Sequence, residues 1–275
     1  MMVDAHHHFW NYSTEDYGWI SDEMARIRQD FLPDNLAWTL AAAQGYGAIS
    51  VQARSSIEET EWLLGMFENH AHLRGVVGWL SLAEPEIDEQ LERFASHPGL
   101  VGVREVLQGM PVETMADAAF NAGVGHLAGH GLTYDLLVIE HQLPPAIDFV
   151  DRHPDLPIIL DHIAKPLIKD NVLEPWQQNI RELARRPHVS CKLSGLVTEA
   201  DFHAWTPEQL TPYVETVLEA FGPDRVLFGS DWPVCLVACE YSRWADLVRG
   251  WVAPLSDDEQ AAILGGNAQR IYNLS

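Results

Sequence analysis

The stretch Met2-Val3-Asp4-Ala5-His6-His7-His8-Phe9-Trp10 reads as a short strand that ends in an imidazole pair. Side chains alternate faces along a strand, so His6 and His8 point the same way, about 7 Å apart along the chain, and His7 points away. Working outward from this first strand at 3–8, apolar or β-branched runs recur at 48–52, 75–80, 100–105, 132–139, 157–160, 188–193 and 226–229. Helix signals lie between them. Ser56 with Glu59 and Ser256 with Glu259 have capping-box spacing, and Thr206-Pro207 puts proline at a first helical position. Eight strand-helix units in 275 residues predict one (β/α)8 TIM barrel over 1–275 rather than an open doubly wound sheet, which usually has fewer strands. No linker, low-complexity tract or composition break divides the chain.

Composition narrows the partners. Forty acidic residues against 17 basic ones give a formal net charge of −23, and only Lys165, Lys169 and Lys192 are lysines. A field of that sign repels phosphate backbones and anionic lipid, so neither nucleic acid nor membrane is expected as a partner, and a neutral small molecule is. No segment approaches the roughly 20 apolar residues of a membrane span, and the start has no basic region typical of a signal peptide. The cytoplasm is the expected compartment. Cys191, Cys235 and Cys239 are odd in number and lack zinc-ribbon spacing, which predicts buried thiols rather than a disulfide framework. Nothing in the chain specifies an oligomeric state.

A barrel also sorts the histidines, because active sites form at the C-terminal ends of its strands. His6, His8, His141 and His162 fall at or just past such ends. His97, His153 and His188 lie between a helix end and the next strand, and His70, His72, His126 and His130 in similar helix-end segments, where an imidazole complements the helix C-terminus. His203 lies in a late loop. Among the acids the same filter picks Asp231, in Val226-Leu227-Phe228-Gly229-Ser230-Asp231-Trp232-Pro233. Strand 8 neighbours strand 1 in a closed barrel, so Asp231 is expected to meet His6 and His8 despite the sequence distance. Two imidazoles and a carboxylate can activate water, directly or through a divalent metal. A turn or N-cap role for Asp231 and a cap role for His162 are the structural alternatives. Strand 4 ends in Arg104-Glu105, where Arg104 can hold a carbonyl or form a salt bridge.

Several motifs together resemble the amidohydrolase superfamily in its amidohydrolase-2 branch: His6-His7-His8, Asp161-His162 with Lys165-Pro166, Lys192-Leu193-Ser194-Gly195, Gly229-Ser230-Asp231-Trp232-Pro233 and the tail 265–272. The opening Asp4 to Trp10 is similar to the sugar-lactonase subgroup, which includes L-fuconolactonases and L-rhamnonolactonases. The resemblance implies that His6, His8 and Asp231 occupy metal or water-activating positions and His162 the strand-6 position, with His141 as a candidate strand-5 ligand. Binuclear relatives use a strand-4 lysine, and no lysine precedes Lys165, so a lysine-bridged pair of metals is excluded. The subgroup is also similar to lactonases that need no metal. Both one zinc ion and metal-free hydrolysis therefore fit.

The expected reaction is hydrolysis of a neutral lactone, with Asp231 as the base for water and His6, His8, His162 and Arg104 polarising the carbonyl. Trp10 and Trp232 are candidates to stack on a sugar ring, and Gln52, Arg54 and Gln142 to bind its hydroxyls. Two other readings compete. A mononuclear-metal decarboxylase or hydratase of the same branch would need basic anchors for its acidic substrate, and few are available. A non-catalytic binding barrel would be expected to lack Asp231 or the histidine pair, and both are present.

Overall fold

A computed structural model describes residues 1–274. The eight apolar runs form eight strands: β1 (Met2–His7), β2 (Gly45–Val51), β3 (Leu73–Gly78), β4 (Leu100–Glu105), β5 (Thr133–Leu136), β6 (Ile158–Leu160), β7 (Val189–Leu193) and β8 (Val226–Phe228). Each pairs in parallel with the next, in sequence order. The barrel closes between its first and last strands through two backbone hydrogen bonds: Asp231 N–H donates to His6 O at 2.8 Å, and His8 N–H to Trp232 O at 2.7 Å. This is the (β/α)8 barrel expected from the sequence.

Strand ends differ from the apolar runs for identifiable reasons. β2 starts at Gly45, since Gly45 and Gly47 pair with β1 through backbone alone. In the other direction, β5 stops at Leu136 although Leu137 and Val138 are buried, because burial of a side chain does not require its backbone to continue the ladder.

Helices α1 (Pro33–Ala42), α2 (Ile57–Asn69), α3 (Ile87–Phe94), α4 (Ala118–Leu127), α5 (Leu143–Asp151), α6 (Trp176–Leu183), α7 (Pro207–Phe221) and α8 (Tyr241–Val252) alternate with the strands. The Ser56, Thr206 and Ser256 hydroxyls accept from the N–H groups of Glu59, Gln209 and Glu259. Ser256 and Glu259 form the reciprocal box. Glu59 does not reach back to Ser56; its carboxylate accepts instead from the N–H groups of Ala53 (2.9 Å) and Arg54 (2.7 Å), fixing the loop after β2.

Two apolar layers hold the barrel. One fills the space between strands and helices. The other lies inside the strands, where Val3, Ala5, Ile49, Val51, Val77, Val101, Ile159 and Leu227 meet Ala268 and Tyr272 from the C-terminal segment. The three cysteines are free and buried. Among the described residues no helix is long and apolar enough to cross a membrane.

Candidate active site

The site begins with an irregularity in β1. Its pairing with β2 shifts register between Asp4 and His7. Val3 and Ala5 belong to the interior apolar cluster, yet His6 also faces the interior, with Nδ1 3.1 Å from Lys192 Nζ and 3.2 Å from Asp161 Oδ1. Such irregularities re-aim side chains, and strict alternation from Val3 and Ala5 would have sent His7 inward instead. His7 hydrogen-bonds Ser50 Oγ at 3.0 Å and packs against Phe9, away from the other two histidines. Asp4 secures the seam between β1 and β8: Oδ1 accepts from His6 N–H at 3.0 Å and Ser230 N–H at 2.9 Å, while Oδ2 accepts from the Ser230 hydroxyl.

On this seam the expected constellation assembles. Asp231 Oδ1 lies 3.4 Å from His8 Nε2, 3.8 Å from His6 Nε2 and 3.9 Å from His162 Nε2. The His8 ring is oriented by a 2.8 Å hydrogen bond from Nδ1 to Val51 O, which leaves Nε2 without a proton in the neutral ring. His162 Nδ1 bonds Ser194 Oγ at 2.9 Å. His162 also begins a run of four residues, through Lys165, with φ between +45° and +61°, and Asp231 has φ +58°. Left-handed backbone at non-glycine residues costs of order 1–3 kcal/mol each and persists where surrounding contacts enforce it. Here Trp176 Nε1–H holds Ile163 O at 2.7 Å, and Gly195 leaves room for the ring: a Cβ at that position would stand 2.7 Å from His162 Cγ.

Burial and local charge set the protonation states. Loss of water pushes the His162 imidazole down to about 4, against the opposing pull of Asp231 and Asp161. The same desolvation holds His6 well below the ordinary histidine range. For Asp231, burial works upward, but His162, His8 and Lys165 outweigh it and keep the carboxyl below its usual value. Near pH 7 the Asp231 carboxylate faces the neutral imidazoles of His6 and His162.

Beneath the constellation lies a buried charge layer. Arg104 Nη1 donates to Asp161 Oδ2 at 3.0 Å, and Nη2 donates to both Gln52 O and Gln52 Oε1. Lys192 Nζ pairs with Asp135 Oδ2 and, at 2.9 Å, with Asp161 Oδ1; the Tyr272 hydroxyl donates to Asp135. Two cations thus face two carboxylates inside the barrel. Burial moves the Asp135 carboxyl up to about 6 despite Lys192, whereas Asp161 is held well below its ordinary value because Lys192, His6 and Arg104 together overcome burial.

A cavity of about 370 Å³ opens above these groups, lined by His8, Arg104, His162 and Asp231 together with Trp19, Met24, Gln108, Lys165, Thr198, Glu199 and Phe202. His6 lies just behind that surface. Lys165 Nζ is 3.7 Å from Glu199 Oε1.

Several anticipated contacts resolve differently. His141 is 63% exposed on its side chain and pairs with Glu140, outside the groups that can share a metal, because the chain turns outward after β5. Gln142 spends its amide on the backbone of Leu107, Met110 and Ile139. Gln52 holds Arg104 rather than facing the cavity, and Arg54 pairs with Asp16 at 3.0 Å in a separate cleft. Trp10 and Trp232 are buried against Phe31, so neither can stack on a ligand; Trp19 is the tryptophan on the cavity wall. Lys192, Asp135 and Tyr272 had no assigned role. For Lys192 and Asp135 the sequence signal is a charge within an otherwise apolar strand, with nothing to identify its partner; Tyr272 is an uncharged residue of the C-terminal segment.

A metal fits the donor set. His6 Nε2, His8 Nε2 and Asp231 Oδ1 are ligand atoms within 4.8 Å of one another, and two imidazoles with one carboxylate suit zinc. Known proteins agree with this architecture. The amidohydrolase family matches residues 3–274. L-fucono-1,5-lactonases from Burkholderia multivorans and Burkholderia ambifaria are 42% and 34% identical, covering 100% and 99% of this chain and 96% and 95% of their own lengths. The crystal structure of a zinc-bound amidohydrolase from Burkholderia multivorans is 40% identical over the whole of both chains, with a TM-score of 0.97. On the match across nearly its entire length, together with these full-length relatives, the chain belongs to the amidohydrolase family.

Proposed function

We propose that this protein hydrolyses a sugar-derived lactone of the L-fucono- or L-rhamnono-lactone type to the aldonic acid. The observation that carries the reading is the Asp231 carboxylate at the cavity wall, 3.4 to 3.9 Å from three buried imidazole nitrogens. The names of the full-length relatives supply the substrate class.

In this reading Asp231 takes a proton from water as the water attacks the lactone carbonyl. His162 faces the developing oxyanion, with the charge of Arg104 and the His6 ring behind it. On collapse of the tetrahedral adduct the ring C–O bond breaks, and Asp231 returns its proton to the leaving oxygen, which becomes the hydroxyl of the open-chain acid. A zinc ion held by His6, His8 and Asp231 would add Lewis-acid polarisation of the carbonyl. Activated esters need less such help than amides, so the reading includes turnover without metal. Residues 1–275 act as one domain on a neutral small molecule in the cytoplasm.

A decarboxylase would need cationic anchors. The cavity's cations are Arg104, committed to Asp161 and Gln52, and Lys165, beside Glu199. A panel of aldonolactones followed with a pH indicator tests the proposal. Acid release by the wild type but not by Asp231→Asn supports it; no opening of any aldonolactone, with carbon dioxide released from ring-derived acids, would replace it with the decarboxylase reading.

A further inference from the structure

We infer that Lys192 and Asp161 compete for Nδ1 of His6, and that this competition decides whether its Nε2 carries a proton or is free to bind zinc. The inference rests on the metal-ligand part of the reading above and is independent of the substrate. His6 is completely buried, so no water can satisfy its ring. Its Nδ1 faces an ammonium donor at 3.1 Å and a carboxylate acceptor at 3.2 Å. A neutral imidazole has one N–H and can serve only one of them.

Each choice sets the other end of the ring. If Nδ1 accepts from Lys192, the proton sits on Nε2 and points at His8 Nε2, 3.1 Å away, whose ring has its own N–H directed to Val51 O. Lys192 then hydrogen-bonds Asp135 and His6 and forms an ion pair with Asp161 Oδ1 at 2.9 Å. Arg104 Nη1, 3.3 Å from His6 Nε2, remains committed to Asp161 Oδ2 at 3.0 Å. In this metal-free arrangement both ring nitrogens of His6 are hydrogen-bonded, to Lys192 and to His8. If instead Nδ1 donates to Asp161, the hydrogen bond from Lys192 is lost; the bare Nε2 then accepts from Arg104 Nη1 at 3.3 Å and faces the bare Nε2 of His8 at 3.1 Å, an electron-rich pair that a metal cation would join.

Zinc binding therefore requires the His6 proton to move from Nε2 to Nδ1 and the Nδ1 contact to pass from Lys192 to Asp161. His6 neither gains nor loses a proton, and Lys192 keeps its charge. Lys192 is thus a positioning residue: it stabilises the metal-free tautomer and thereby weakens zinc binding, while Asp161 stabilises the metal-ready one.

The test is nitrogen NMR of the full-length protein labelled with 15N-histidine, freed of metal by chelation and then titrated with zinc, with His6 identified as the signal absent from His6→Gln. The expected result is Nε2 protonation without metal and Nδ1 protonation with zinc on Nε2. Protonation on Nδ1 in both states would overturn the competition, and zinc binding with no change at His6 would overturn the ligand assignment instead. In Lys192→Met/Asp135→Asn, which removes one cation and one anion together, zinc should bind about tenfold more tightly, the size of effect that outer partners of ligating imidazoles exert. Unchanged or weaker binding in that variant, if it folds, would count against the role of Lys192. If it does not fold, the wild-type spectra still decide. Neither readout uses a lactone, so failure here leaves the hydrolase reading standing.

Discussion

The two ends of the barrel use the same residue types in opposite ways. Where the strands finish, His6, His8 and His162 are buried around Asp231, with ring centroids of His6 4.9 Å from His8 and 4.4 Å from His162. Toward the opposite end, His97 and His126 pair with the exposed acids Glu68 and Asp88, and His153 bonds Asn121 across neighbouring helices. In the first group His162 and Asp231 sit on left-handed backbone, beside buried charges; the second group sits among ordinary helix ends. Chemistry here depends on desolvation and on backbone that the fold must hold in place, whereas the other end needs neither.

The strongest test of this contrast is Asp231→Asn. The isostere keeps the shape but cannot accept the water proton, so kcat should fall by about 10³-fold while circular dichroism and thermal unfolding stay close to wild type. A folded variant with wild-type turnover would assign the base elsewhere.

Next in size is the exchange of roles between two tryptophans. Trp10→Ala should destabilise the protein by about 3–5 kcal/mol in urea unfolding, since Trp10 is fully buried and its Nε1–H is bonded to Gln29 O. Trp19→Ala should leave stability nearly unchanged and raise KM for the lactone. The reverse pattern would return Trp10 to the ligand-binding surface.

Glu59 probes the stability side. Burial pushes its carboxyl up to about 7 from an ordinary 4.5. A folded-state value above the unfolded one gives stability that is complete below about 4.5 and is lost as pH rises through about 7. Wild type should therefore lose up to about 3 kcal/mol relative to Glu59→Gln between those limits, because a tenfold difference in proton affinity between the folded and unfolded chains is worth about 1.4 kcal/mol. Unfolding curves on either side of this range, at about pH 4.5 and about pH 7.5, measure it, and parallel behaviour of the two proteins would show that Glu59 ionises freely in the fold.

Metal removal should have a smaller effect than loss of Asp231. After exhaustive chelation checked by elemental analysis, lactone opening should persist in part and rise when zinc is restored. Complete loss, with full recovery at one equivalent, would make the metal obligatory. The smallest effect belongs to the opposite end: His126→Gln should change stability by no more than about 0.5 kcal/mol and leave turnover alone, as expected for an exposed ion pair.

Eight apolar runs and the helix signals between them determined the barrel, because alternating strand and helix patterns of that number have few other ways to bury their apolar faces. The same rule placed His6, His8, His162 and Asp231 at one end, since the C-terminal ends of parallel strands converge whatever their separation in sequence. Other properties depended on three-dimensional packing. The register shift in β1 turns His6 inward, an event set by pairing with β2 rather than by the order of residues. Lys192, Asp135, Asp161 and Arg104 acquire their roles from one another across β4 to β7, and no spacing in the chain records which buried charge meets which. Trp10 and Trp19 lie nine positions apart in one aromatic cluster, yet only Trp19 reaches the cavity. Periodicity fixes which elements form and which ends they share; the choice between burial, ligand contact and charge pairing is made by the neighbours that tertiary folding brings within a few ångströms.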